Sequence, residues 1–226
     1  DNCQNINENL NFLIEQHDIQ HFEYQLPDEY RLDEQLKAYC EKLNENGTTT
    51  KVVDTEHFLS ERMEVHETFK NKKTYLMETF YRNMRRRYHI LMEDDGKKPL
   101  TGKWNYDAEN RKKLPKKITI PPQKRFFRNV TELVEMIKNQ GVETIGRIDE
   151  KYFDWAVTRA ESLDILEDFI KLRLQAFGKY QDAMTERDTL IFHSKVSFAM
   201  NTKLLHPLEV VNACIDYWQS HQDTIS

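Results

Sequence analysis

The residues best equipped for chemistry in this sequence are cations set beside aromatic rings. Arg82, Arg85, Arg86 and Arg87 crowd one short stretch. Lys97, Lys98, Lys103, Arg111, Lys112, Lys113, Lys116 and Lys117 follow it, with Trp104 and Tyr106 among them. Guanidinium and ammonium groups bind phosphate oxygens, and aromatic faces stack on bases, so the combination predicts a polyanion partner, nucleic acid first. Residues 97–128 hold eleven Lys or Arg against Asp107 and Glu109, a local excess of +9. The formal net charge of the chain is −5, so the remainder carries about −14. Charge segregated in this way marks a binding surface. The competing reading of the arginines is a solvated basic helix face. Arg85, Arg86, Trp104, Tyr106 and Arg111 are the candidate DNA contacts. For Arg111 the alternative is an ion pair with Asp107 or Glu109.

A second group is His193-Ser194-Lys195-Val196-Ser197, with Asn201 after it. Short hydroxyls and backbone N–H groups near a helix start favour an anion. Two serines on the solvent side of an amphipathic helix would look the same. Gly178 either allows close backbone approach or ends a helix. Other chemistries lack their residues. His17 and His21 have helical spacing, but no further ligand completes a zinc site. No Ser/His/Asp arrangement or GxGxxG appears. Cys3, Cys40 and Cys214 are single and unpaired in spacing, which argues against a disulfide framework or a cluster built from this chain alone.

The elements that must position these groups are mostly helical. With 226 residues, six Gly and six Pro, the chain suits long helices and one or two domains. A helix is expected over 8–17, a strand over 21–26, a helix from Pro27 to about Leu43, and a strand over 48–53 after Asn46-Gly47. That alternation is an open α/β sheet, and two strands alone do not sustain one, so residues 1–57 read as the tail of a Rossmann-like domain. A helix capped by Thr74 is expected to run to about Met92. Residues 93–127, punctuated by Pro99, Pro115, Pro121 and Pro122, form a long loop. Helices are then expected over 130–139, 163–177, 189–203 and 207–218. The fold class is therefore mainly α. It comprises a two-strand α/β remnant (1–57), a linker (58–128) and the start of a helical domain (129–226). No apolar run reaches bilayer length. No signal peptide is visible, and a cytoplasmic location is expected. The absence of an initiator Met, with helix-like residues at both ends, reads as an internal piece of a longer protein.

Several blocks carry a resemblance. Tyr75-Leu76-Met77-Glu78-Thr79-Phe80-Tyr81-Arg82-Asn83-Met84-Arg85-Arg86, Gly96-Lys97-Lys98-Pro99, and Gly102-Lys103-Trp104-Asn105-Tyr106-Asp107-Ala108-Glu109-Asn110-Arg111 come first. Trp155-Ala156-Val157-Thr158-Arg159, Phe177-Gly178-Lys179-Tyr180-Gln181-Asp182, and His193 to Asn201 follow in order. In this order they resemble the deoxyribodipyrimidine photolyase-related proteins, the iron–sulfur bacterial cryptochromes and (6-4) photolyases. The resemblance implies an α/β antenna domain, a linker, and a helical domain that binds FAD and a [4Fe–4S] cluster, with a ribityllumazine antenna in some members. It implies repair of pyrimidine photoproducts in damaged DNA, driven by blue light through reduced FAD, with the lesion flipped toward the flavin. On these positions it makes Gly178, Gln181, His193, Ser194, Lys195, Val196, Ser197 and Asn201 the FAD contacts. Tyr180 stands where a small residue is expected, which puts Gln181 ahead of it. Glu29 becomes an antenna candidate, although as a helix-start acid it needs no such role. Arg159 is either functional or docked on a carboxylate. No catalytic or metal-binding residue is assigned to this chain, which is expected to be inactive alone and to bind FAD weakly or not at all. Two other functions fit the same residues: a cryptochrome-like blue-light photoreceptor without repair, and a non-enzymatic helical nucleic-acid-binding module.

Overall fold

A computed structural model describes Cys3 and residues 5–223. It divides the chain into two compact units, Asp1–Tyr75 and Leu76–Ser226. Residues 58–75 fall with the first unit and 76–128 with the second, so the segment read as a linker is shared between them.

The first unit is α1 (Ile6–Gln16), β1 (His21–Gln25), α2 (Tyr30–Glu45), β2 (Thr49–Val53) and α3 (Glu64–Phe69). Asn5 caps α1 by accepting from the amides of Asn7 and Glu8. β1 and β2 pair in parallel from His21 opposite Thr49 to Gln25 opposite Val53. Parallel pairing demands a crossover, and α2 supplies it. Its buried residues Leu36, Tyr39, Cys40 and Leu43 recur at helical spacing and form the face turned to the core. Phe22 meets Tyr39 edge to face, with centroids 6.1 Å apart. The Tyr39 hydroxyl donates to Asn11 Oδ1 at 2.7 Å, which fastens α1. Gly47 takes φ +89° in the turn that returns the chain to β2. His21, Glu23 and Gln25 remain exposed on the other face of the strand.

The second unit opens with α4 (Met77–Arg87) and a long loop that contains one 3₁₀ turn, Asp107–Glu109. It continues with α5 (Thr131–Asn139), α6 (Arg159–Leu172), α7 (Leu174–Tyr180), α8 (Ser197–Asn201) and α9 (Pro207–Ser220). Its core joins Ile165, Leu166, Phe169 and Ile170 of α6 to Ala156, Val196, Ala199 and Leu205. A smaller cluster of Leu114, Ile191 and Phe192 packs with Ile118 and Ile120, so the basic loop folds back on the helices.

Several element boundaries differ from the sequence reading, each for a physical reason. Helix α4 starts at Met77 without a side-chain cap, so Thr74 does not serve as its N-cap. It ends at Arg87, short of Met92. His89 and Leu91 take left-handed φ of 52° and 49°, and Arg85 holds the carbonyls of Ile90 and Leu91. The helix expected over 163–177 is two helices. Thr158 starts α6 earlier with a capping box, and Arg173 leaves helical geometry at φ −125° to begin α7, which passes through Gly178. The helix expected over 189–203 shrinks to α8, because Ile191 and Lys195 adopt φ of 46° and 58°. Among the described residues, no helix is long and apolar enough to cross a membrane.

Candidate functional site

The arginine helix is built around one aromatic ring. The guanidinium carbons of Arg86, Arg82 and Arg85 lie 4.6, 5.1 and 5.5 Å from the centre of the Trp104 ring. Spacing on α4 explains the set: residues three or four apart share one side of a helix. The three arginines then diverge. Arg85 is buried and donates to the carbonyls of Ile90 (3.0 Å), Leu91 (2.7 Å) and Trp104 (3.1 Å). Those bonds consume the fork that a phosphate would need, so the structure gives Arg85 an internal task rather than a DNA contact. Arg82 pairs with Glu78 at 2.8 Å. Glu78 also accepts from Asn105 at 3.0 Å, and the hydrogen bond from Arg82 holds its carboxyl below the usual range. Arg86 is exposed and makes no ion pair among the described residues.

Tyr106 is exposed, bonded to Thr101 at 2.5 Å, and lies beneath the Lys103 ammonium. Lys103 pairs with Glu109 at 3.1 Å. Arg111 is 77% exposed and pairs at 3.5 Å with Asp182, and neither Asp107 nor Glu109 is its partner. Lys124, Arg125 and Arg128 face Asp164, Asp154 and Glu161. Acids from other elements therefore neutralise part of the basic excess. Lys97, Lys98, Lys112, Lys113, Lys116 and Lys117 are exposed and form no ion pair among the described residues.

The linker is tied to the end of α7. Asp182 N donates to Asn110 O at 3.1 Å, and Lys112 N donates to Lys179 O at 3.2 Å. These bonds bracket Gln181, which is exposed. Gly178 is also exposed; it lies inside α7 without positive φ, and an added Cβ would meet open space. It is thus neither a helix C-cap nor a point of close backbone approach within this chain.

Residues His193 to Val196 form a connection, and Ser197 begins the five-residue helix α8. Val196 is buried in the core, while Ser194 is half-buried and Ser197 and Asn201 are exposed at the ends of α8. The Lys195 ammonium lies 4.8 Å from the centre of the Trp155 ring, and burial pushes the amine below the usual lysine range. His193 opens onto a groove of about 790 Å³ that is also lined by Gln123, Arg125, Thr185 and Thr189. The structure brings His193 together with Arg125 there.

Sequence reasoning missed the residues that hold the proline-rich loop. Arg173, 2% exposed, lies 2.9 Å from Asp168 and donates to the carbonyls of Pro122 at 2.7 Å and Pro121 at 3.3 Å. Arg187 donates to the carbonyls of Pro115 and Ile118. The available signal was the prolines themselves: they offer carbonyls and no N–H, so a proline-rich loop packed on helices offers acceptors to arginine forks. Arg159 is docked on the Glu209 carboxylate and the Leu204 carbonyl.

In the first unit, a groove of about 440 Å³ lies at the carboxyl ends of β1 and β2, lined by Pro27, Tyr30, Asp33, Asp54, Phe58 and Arg62. This is where open α/β sheets present ligand crevices. Arg62 pairs with Asp33 at 2.6 Å, and its backbone N donates to Asp54. Glu29 caps α2, accepting from the Leu32 amide at 2.8 Å and from Arg31 at 2.7 Å, and it is not among the lining residues.

Comparison with known proteins gives these features their class. The family model for deoxyribodipyrimidine photo-lyase-related protein matches residues 1–153. A (6-4) photolyase of Agrobacterium fabrum (strain C58 / ATCC 33970) is 31% identical over 189 residues, which cover 83% of this chain and 36% of that protein. An uncharacterized protein of Acanthamoeba polyphaga mimivirus is 29% identical over 100 residues, 42% of this chain and 47% of that protein. The chain belongs to the photolyase-related family. It spans about a third of the length of the first relative and about half of the second.

Proposed function

We propose that this chain supplies the DNA-facing linker and the first FAD contacts of a photolyase-related flavoprotein. In the complete protein its work is blue-light-driven repair of pyrimidine photoproducts in DNA. One observation carries the reading. The basic, aromatic linker is hydrogen-bonded to the end of α7, beside Gln181, so the polyanion surface and the flavin segment belong to one compact unit.

The residues present suit a phosphate-bearing cofactor. The groove beside His193 offers Arg125, Gln123, Thr185 and Thr189 alongside the carboxylates of Glu186 and Asp188, and its volume is that of a ligand site. Arg125 supplies charge, the threonines supply donors, and Ser194 and Ser197 flank a core anchor, Val196. Bound FAD would supply the light-driven electron; the protein residues bind, orient and screen. Cys3 is exposed, Cys40 is buried in α2 and Cys214 is half-buried in α9, so they do not share one element. The aromatic, charged groove at the β-strand ends is the antenna candidate, with Tyr30 and Phe58 as its rings and Glu29 as the cap beside it.

The test is flavin retention by the complete protein. Replacing Ser194 and Ser197 by Ala is expected to lower bound FAD per protein at least severalfold, with the far-UV spectrum unchanged. Retention equal to the parent would remove these serines from the site.

A further inference from the structure

We infer that Trp104 does not stack on a base but positions Arg86 for a DNA phosphate; this rests on the polyanion reading above. Three guanidinium groups already lie within 5.5 Å of the centre of its ring. Three cations on one ring leave less of it open to a base. Of the three, Arg85 is buried on backbone carbonyls and Arg82 is held by Glu78. Arg86 is the closest to the ring at 4.6 Å, exposed, and without an ion pair among the described residues. A guanidinium held over an indole keeps its N–H groups free at the edge, where two can meet phosphate oxygens together. Holding that side chain in advance lowers the ordering cost at binding. The exposed lysines from Lys97 to Lys117 place further positive charge in the same loop.

Trp104 is thus a positioning residue, and its effect must run through Arg86. The test is fluorescence anisotropy with a fluorescein-labelled duplex DNA and this 226-residue chain, at salt from roughly 50 to 200 mM. Arg86→Gln is expected to weaken binding about fivefold and to reduce the slope of log Kd against log salt by about one. Trp104→Leu, which changes no charge, should weaken binding to a similar extent, and Trp104→Phe should restore most of it. The double variant Arg86→Gln/Trp104→Leu should bind no more weakly than Arg86→Gln alone, because the two act as one. Arg86→Lys keeps the charge but lacks the planar fork, so it should lose affinity at unchanged slope. This last variant decides the matter if Trp104→Leu fails to fold. Additive losses in the double variant, or Arg86→Lys binding like the parent, would overturn the inference and leave the polyanion reading standing. A parent chain with no salt-dependent affinity for DNA would overturn both.

Discussion

Arg85 and Arg86 are neighbours in sequence with opposite fates. One turns inward to hold carbonyls of the loop after α4, and the other turns out over Trp104. The consequence is separable. Arg85→Ala leaves the carbonyls of Ile90 and Trp104 without the Arg85 donor and Leu91 with the Leu100 amide alone, a cost of about 3 kcal/mol. Arg86→Ala should fall within about 0.5 kcal/mol of the parent. Urea unfolding of the two variants checks this, and equal midpoints would contradict it. Lys195 gives a pH signature. Burial holds its amine below the ordinary lysine value of 10.5 in the folded chain. The unfolded chain therefore binds the extra proton between the lowered value and 10.5, and stability rises as pH climbs through that window. Lys195→Met should flatten that rise, read as urea midpoints between about pH 7 and about pH 10. Identical pH profiles for parent and variant would show that the amine is not desolvated.

The elements show how a sequence pattern is kept or overridden. Helix α2 follows its apolar spacing closely, because Leu36, Tyr39, Cys40 and Leu43 have a sheet to pack against. The parallel pair was legible for a related reason: β-branched and aromatic residues lie on either side of a helix of crossover length. The region 189–203 was not legible as turns. Its residues have helical spacing, yet the left-handed conformations of Ile191 and Lys195 come from tertiary contacts that no local pattern encodes: Ile191 packs on Leu114, and Lys195 lies over Trp155. The break at Arg173 is of the same kind, since its partners Pro121 and Pro122 are distant in sequence. Helix α6 depends on its start. Thr158 accepts from the Glu161 amide, and the Glu161 carboxylate accepts from the amides of Val157 and Thr158 while facing Arg128. The Val157 amide contributes most to holding that carboxyl below its usual range, so this support is present above the ordinary glutamate pKa and is lost as pH falls through the lowered one. Thr158→Ala should cost about 1 kcal/mol and unfold the second unit earlier in acid. An unchanged acid midpoint would contradict the cap's importance.

At the scale of the whole molecule, the division of charge has a structural meaning. Acids of α6 and of the segment after α7 neutralise the end of the basic loop, while six lysines from Lys97 to Lys117 stay exposed and unpaired among the described residues. The basic surface was therefore legible as composition, and which of its cations lack an acid partner was not, because the paired acids come from remote positions. The candidate cofactor residues show the same limit. His193 to Ser197 could be singled out as a block, but the groove that His193 shares with Arg125 exists only in the folded chain. As proposed, these parts belong to a light-driven repair flavoprotein of the photolyase-related family. The most direct test is the complete protein with a photoproduct-containing oligonucleotide and reduced FAD, assayed by chromatography under blue light and in the dark. The account predicts restored pyrimidines in the illuminated sample alone. Bound flavin with no light-dependent repair of any pyrimidine photoproduct would contradict it and point to a photoreceptor.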